Sequence, residues 1–153
     1  MRPALSADVR TCERHAEGIS AELCLSVPSD VSYVEEAVEL VARHVAAHFV
    51  DPHAIRFNVR VALSEALANA ISYGTGEDAT KGVEVRVLFG PHTVQLEVTD
   101  EGGGFDYRLQ RDPTEPWARL EPRGRGLFLI RNLVDEVRFN ATGHSICMIL
   151  RRA

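Results

Sequence analysis

The sequence predicts an α+β two-layer sandwich, with helices packed on one face of a mixed, mostly antiparallel sheet. Two observations support this fold class. Strand and helix periods follow one another in the order β, α, α, β, β, lid, α, β, β, and the 153 residues, 45% of them hydrophobic, suit one domain with one core. No uninterrupted apolar stretch approaches the roughly 18 residues that a membrane-spanning helix needs.

The N-terminal part is predicted to contain a lead-in, one strand and one helix. Residues 1–18 show no clear period, so we expect a loose lead-in there. Alternating apolar residues predict a strand over 21–27, and Ser29 or Asp30 is suited to cap the next helix. That helix is predicted over 31–49, where apolar residues recur at three- and four-residue steps: Val34, Val38, Val41, Val45 and Phe49.

A second helix and a β-hairpin are predicted for the middle of the chain. The helix runs from about Ala54 to Tyr73, with Asp51 as its cap. Apolar residues then alternate over 82–89 and over 93–100, and the short turn between these segments contains glycine and proline. We therefore expect the two strands to pair as a hairpin.

Residues 100–124 differ from the rest, because they contain three consecutive glycines and three prolines without a strand or helix period. A structureless segment of this length in a compact domain is usually a functional lid or a disordered segment. We expect a lid at about 105–123, inside a single domain over 19–153. A helix and two strands complete the pattern, at 126–137, 137–140 and 144–151.

Charge and composition exclude several classes of protein. The net charge is −5 and no basic stripe is present, which argues against a nucleic-acid partner. Lys81 is the sole lysine and lies in a polar loop, so neither a Walker phosphate-binding loop nor the strand lysine of a eukaryote-type kinase is available. The three cysteines are unclustered and no signal peptide is recognised, so a cytoplasmic location is expected.

The first candidate motif is ALSEALANAISYG on the second predicted helix. Glu65 and Asn69 are four residues apart, so they lie one above the other on one helical face. Small and apolar neighbours place this pair at the boundary of a buried region. The alternative is an ordinary solvated polar face, because helical carboxylates mostly lie at the surface.

The second candidate motif is TDEGGGFD, where the second hairpin strand ends. Asp100, Gly102 and Gly104 form an Asp-x-Gly-x-Gly pattern, in which glycines let the backbone approach a ligand closely. An aspartate in front of them is able to accept a hydrogen bond from the amino group of a base. The alternative is a plain acidic turn.

The third candidate motif is RGRGLFLIRNLVDEV. Gly124 and Gly126 flank Arg125 in front of a predicted helix, and a helix N-terminus offers free N–H groups to a phosphate. Arg123 and Arg125 are able to supply the positive charge that a lysine supplies elsewhere. The alternative is a flexible hinge before a core helix.

Together, the order and spacing of the three motifs form a distinctive series. The chain resembles the Bergerat-type ATP-binding fold of gyrase-type ATPases, the Hsp90 chaperones, histidine kinases and MutL. Within that fold it looks most like the anti-sigma-factor serine kinases of bacteria, because VALSEALANAI, VTDEGGGFD and GRGLFLIRNLVDEV match the three boxes of that family. The resemblance extends from about Ala21 to Arg151.

The resemblance implies roles for individual residues. Glu65 would be the general base that takes the proton from a substrate serine, and Asn69 would coordinate a Mg²⁺ ion that bridges the phosphates of ATP. Asp100 would hold the adenine amino group. The other residues implied to border the nucleotide are Gly102 and Gly104 at the adenine pocket, Gly124, Arg125, Gly126 and Leu127 at the triphosphate, and Ser145 in the last box.

The chain departs from the family pattern at two places. Tyr73 stands where many relatives have histidine. The last box, usually Gly-Thr-Thr, reads Gly143-His144-Ser145, so that Ser145 keeps a hydroxyl and His144 does not match.

The function implied by the resemblance is that of an ATP-dependent protein serine kinase that also acts as an anti-sigma factor. It would bind a sigma factor and phosphorylate a small antagonist protein on a serine, as a homodimer with the valine-rich first helix as a candidate contact. Two alternatives remain open: a non-catalytic ATP-binding partner-switch module, and a switch kinase of the same fold that binds no sigma factor. Glu65 favours an enzyme, because a pure binder has no need of a base.

Overall fold

The computed structural model describes residues 5–11, 21–48, 53–76, 78, 80–100, 122–140 and 144–151. In these parts of the chain, helices cover one face of a six-stranded sheet. The predicted α+β fold class is therefore confirmed.

The six strands lie in the order β1-β2-β3-β4-β6-β5. They are β1 (Ser6–Thr11), β2 (Ala21–Pro28), β3 (Gly82–Phe89), β4 (Thr93–Asp100), β5 (Glu136–Phe139) and β6 (Ser145–Arg151). The predicted hairpin is confirmed, because β3 and β4 pair antiparallel around a turn closed by a 2.9 Å bond from the Gly90 N–H to the Thr93 carbonyl. All neighbouring pairs of described strands are antiparallel, so the parallel component that a mixed sheet allows is not seen among them.

Strand β1 corrects the prediction of a loose lead-in over residues 1–18. It forms one edge of the sheet, antiparallel to β2, with Ala7 opposite Leu25. Its sequence, SADVRT, contains a single large apolar residue, so it shows no alternation. An edge strand is held by main-chain hydrogen bonds to one neighbour, and these bonds do not require an apolar side-chain pattern.

Within the described residues, three α-helices accompany the sheet: α1 (Val34–His48), α2 (His53–Asn69) and α3 (Pro122–Leu133). A 3₁₀ turn, Val31–Tyr33, precedes α1, and its cap is Asp30, whose carboxylate accepts the N–H of Ser32 at 2.9 Å. The prediction that Ser29 or Asp30 caps this helix is thus confirmed for Asp30. The predicted cap Asp51 lies outside the described residues.

The core lies between the helices and one face of the sheet. Alternate residues of the strands point into it, as their spacing predicts, and Leu23, Leu96 and Met148 are fully buried there. Val38, Val41 and Val45 of α1 also belong to this core. The valine stripe of α1 is therefore used within the chain, and the dimer contact expected of this helix stays a prediction.

The opposite face of the sheet carries a cluster of charged side chains on β2, β3 and β4. Arg86 in β3 lies between two carboxylates, with its Nε 2.8 Å from Glu22 of β2 and an Nη 3.6 Å from Glu97 of β4. The hydrogen bond to Glu22 raises the pKa of Arg86 above its ordinary value. Such pairs between partly exposed groups select the strand register more than they stabilise the fold.

The core assignment leads to a first prediction. Leu96→Ala leaves a cavity in the centre of β4, so we expect the free energy of unfolding to fall by about 2–5 kcal/mol. The matched control is Leu129→Ala on α3, where the side chain is 42% exposed and the loss should stay within about 0.5 kcal/mol. Urea unfolding followed by circular dichroism measures both values, and equal losses would contradict the assignment.

Candidate active site

The ends of three strands share one edge of the sheet, and Asp100 of the second motif lies there. β4 ends at Asp100, which lies opposite Val83 at the start of β3. On the other side of β4, Thr99 lies opposite Ser145, the first residue of β6. Because the strands are antiparallel, the end of β4 and the beginnings of β3 and β6 share one edge of the sheet.

The C-terminus of α2 and the N-terminus of α3 lie toward the same end of the sheet. A short connection over 75–81 joins the segment after α2 to the start of β3, so the C-terminus of α2 lies here. The C-terminus of α3 leads into β5, whose first residue pairs with Ile149 near the far end of β6. Since the 12 residues of α3 span about 18 Å, its N-terminus returns toward the end that holds Asp100.

Buried polar side chains concentrate at this end of the sheet. Among the described side chains, four polar ones are buried: Ser29, Asn69, Thr75 and Asp100. Ser29 directly follows β2, which ends opposite the start of β3. Burial of polar groups is costly unless they find partners, so their concentration at one place indicates a site rather than chance.

Glu65 and Asn69 lie on the last two turns of α2. Asn69 is only 7% exposed and Glu65 is half-buried, so the pair does sit at the boundary of the core, as the spacing predicts. Asn69 therefore does not belong to a solvated polar face, which was the alternative for this pair. Its side-chain amide makes no capping hydrogen bond, which leaves a buried polar group at the helix end.

A π-helical segment, Ala70–Gly74, follows Asn69 directly. The Thr75 N–H closes it on the Ala70 carbonyl at 2.9 Å, and Gly76 then adopts a positive φ of 64° to turn the chain. Single π turns are frequent at functional sites, because they reorient side chains within a helix. The sequence predicts an uninterrupted helix to about Tyr73, so this local change was missed.

A buried hydroxyl pair anchors the π-helical segment. The Thr75 hydroxyl donates to the Ile71 carbonyl at 3.0 Å, which leaves the Ser29 hydroxyl to donate to Thr75 Oγ1. Through this contact the segment that follows Asn69 is tied to the end of β2. The position of α2 over the sheet is therefore set by polar as well as apolar contacts.

Asp100 is held by a residue that its motif does not contain. Its carboxylate is 1% exposed, and Oδ1 lies 3.4 Å from Nδ1 of His144, whose side chain is 31% exposed. The Asp100 N–H also donates to the His144 carbonyl at 2.9 Å. The sequence singled out His144 only as a departure from the last box, and the strand register is what places it beside Asp100.

Ser145 lies on the other face of the sheet. Its hydroxyl is 2.9 Å from the hydroxyl of Thr99, the residue before Asp100. Because successive residues of a strand point to opposite faces, Thr99 and Ser145 point away from Asp100. The structure therefore does not bring Ser145 together with Asp100, and His144 occupies that position instead.

The third motif lies inside a helix and not in front of one. α3 begins at Pro122, so Gly124, Arg125 and Gly126 belong to its first turns. Proline is favoured at the first helical position, which explains the earlier start. Leu127 is buried against the core, whereas Gly102, Gly104 and the predicted lid up to residue 121 lie outside the described residues.

Comparison with known proteins identifies the family. A family model described as a histidine kinase-like ATPase domain matches residues 27–150. The chain belongs to this histidine kinase-like ATPase family.

The curated relatives of this ATPase-family chain include serine-protein kinases called RsbW. The protein from Bacillus subtilis (strain 168) is 32% identical over 133 residues, which cover 81% of each chain. The protein from Bacillus pumilus (strain SAFR-032) is 29% identical over 133 residues, with 81% of this chain and 82% of the relative covered. These matches confirm the predicted resemblance to the bacterial serine kinases and the predicted class of enzyme.

Within the described ranges, no helix of this ATPase-family chain has both the length and the apolar character needed to cross a bilayer.

The hydroxyl pair at the end of α2 leads to a second prediction. Thr75→Val removes the acceptor of Ser29 inside the protein, so we expect a loss of about 1–3 kcal/mol in the free energy of unfolding. A double-mutant cycle with Ser29→Ala is the control. If the two hydroxyls act as one pair, the double variant should cost less than the sum of the single variants, and strict additivity would contradict the pairing.

Proposed function

We propose that this chain is an ATP-dependent protein serine kinase that acts as an anti-sigma factor, and that it phosphorylates an antagonist protein to control the release of a sigma factor. The observation that carries the proposal is the concentration of buried polar residues, among them Asn69 and Asp100, at one end of the sheet. Phosphoryl transfer needs mainly positioning and charge neutralisation, and polar groups held by a rigid core suit that purpose.

Glu65 is proposed as the general base. It is half-buried on the last two turns of α2, one turn from Asn69, so a substrate hydroxyl is able to reach it. A carboxylate in that place would accept the proton of the substrate serine as the serine oxygen bonds to the γ-phosphorus of ATP and ADP leaves. Catalysis of this kind contributes about 10²–10⁴-fold.

Asn69 is proposed to hold Mg²⁺. Its amide oxygen is a ligand type that Mg²⁺ accepts, and its burial without a capping hydrogen bond fits a side chain kept for a ligand. When bound, the metal ion would neutralise charge on the phosphates of ATP. The contribution of the chain is to hold the amide at a fixed place, through the π-helical segment and the Ser29–Thr75 pair.

The remaining predicted contacts are proposed in two groups. Asp100 would accept a hydrogen bond from the adenine amino group, and the free N–H groups in the first turn of α3 would face the phosphates. The residues proposed for these groups are Gly102 and Gly104, which follow Asp100 in the sequence, Gly124, Arg125, Gly126 and Leu127 at α3, and Ser145, whose hydroxyl lies beside that of Thr99.

The proposed partners are a sigma factor and a small antagonist protein with a phosphorylatable serine. The chain is proposed to work as a cytoplasmic homodimer without direct contact to nucleic acid or membrane. The net charge of −5 supports the part of this proposal that concerns nucleic acid.

The role of Glu65 is tested by Glu65→Gln, which keeps the shape of the side chain and removes the base. With Mg²⁺, labelled ATP and the antagonist protein, we expect serine phosphorylation to slow by about 10²–10⁴-fold while the dissociation constant for ATP changes little. The matched control is Glu39→Gln on α1, where the carboxylate pairs with Arg60 on the helix surface and activity should persist. Undiminished transfer by Glu65→Gln would exclude the proposed base.

The anti-sigma role is tested separately from the kinase activity. We expect the purified chain, with ATP and Mg²⁺, to retain one sigma factor of its own cell in a pull-down and to release it when unphosphorylated antagonist is added. Retention of no sigma factor, together with normal transfer to the antagonist, would support a switch kinase of the same fold. ATP binding without any transfer would support the non-catalytic switch module.

A further inference from the structure

His144 contacts Asp100 through both the main chain and the side chain. The bond from the Asp100 N–H to the His144 carbonyl continues the β4–β6 ladder by one residue beyond Thr99 and Ser145. This bond fixes the backbone of His144 relative to Asp100. The ring then extends along the same face of the sheet to within 3.4 Å of Oδ1.

Such a contact restricts the orientation of a carboxylate. The χ2 torsion of aspartate is broad and roughly two-fold, so the carboxylate of a buried aspartate is not oriented by its own rotamer preference. A ring nitrogen attached to a fixed backbone and directed at one oxygen selects one orientation. With its proton on Nδ1, the imidazole of His144 donates to Oδ1 of Asp100.

We propose that His144 is a positioning residue for Asp100 and thereby sets the preference of the site for adenine nucleotides. The inference rests on the proposed function, in which Asp100 accepts a hydrogen bond from the adenine amino group. His144 itself is one-third exposed at the rim of the site, while the carboxylate that it orients is buried.

The chemistry of the base explains why orientation matters. An ionised carboxylate only accepts hydrogen bonds. Adenine presents an amino donor at its six-position, whereas hypoxanthine presents a carbonyl oxygen there. A carboxylate held in one orientation binds the first base and rejects the second, and it loses part of this discrimination when it is free to rotate.

The test compares ADP with inosine diphosphate, which differ at that position of the base. Isothermal titration calorimetry on the full chain gives both dissociation constants. For His144→Ala we expect the affinity for ADP to fall by about tenfold and the affinity for inosine diphosphate to stay unchanged. The selectivity ratio therefore falls by the same factor.

Two conservative variants distinguish the positioning of Asp100 by a hydrogen bond from simple packing of the side chain at position 144. Asparagine places its amide nitrogen near the location of Nδ1, so His144→Asn should restore most of the selectivity. Glutamine places its amide near the location of Nε2, so His144→Gln should not restore it. The matched control is His92→Ala, in the exposed turn between β3 and β4 at the opposite end of the sheet, which should leave both affinities unchanged.

The outcomes separate this inference from the proposed function. If His144→Ala weakens the binding of both nucleotides equally, the role of His144 is merely structural and the inference is overturned. If the variant changes neither affinity, the inference is overturned as well. In either case the proposed function stands if the wild-type chain binds ADP and Asp100→Asn weakens that binding. A wild-type chain that binds neither nucleotide overturns both.

Discussion

The register of β4 between β3 and β6 is the constraint on which the rest of the structure depends. Asp100 lies opposite Val83 on one side, and Thr99 lies opposite Ser145 on the other. A shift of one residue would turn every side chain of β4 to the other face. Asp100 would then leave the helix-covered side and Thr99 would enter it. The apolar alternation of β4 makes such a shift costly, because it would also expose Leu96. The same packing that stabilises the fold therefore holds the site.

The second requirement is that polar groups are buried at one end of an apolar core. Ser29 and Thr75 satisfy each other through their hydroxyls, and His144 approaches the carboxylate of Asp100. Each contact joins segments that are far apart in the chain, so each also ties an element to the site. The hydroxyl pair positions the end of α2, and the histidine positions the end of β4. Asn69, buried on the last turn of α2, has no capping hydrogen bond of its own.

Much of the fold followed from simple periodicities, and the departures have physical causes. The predicted bounds of β3 and β4 agree with the structure, because apolar residues alternate along most of both strands, which flank a glycine–proline turn. β1 was missed because an edge strand needs only main-chain pairing. The start of α3 at Pro122 was missed because glycines next to arginine are also typical of a turn. The π-helical segment after Asn69 was missed because the helical pattern of the sequence continues through it to about Tyr73.

The sequence by itself determined the fold class, the family resemblance, and the pairing of Glu65 with Asn69 on one helical face. These features depend on local spacing, which a sequence displays directly. Only the tertiary structure decided that His144, and not Ser145, shares a face with Asp100. That choice depends on the register between two strands whose residues are 44 positions apart in the chain. Register is defined only between two paired strands, so the sequence of one strand by itself does not specify it.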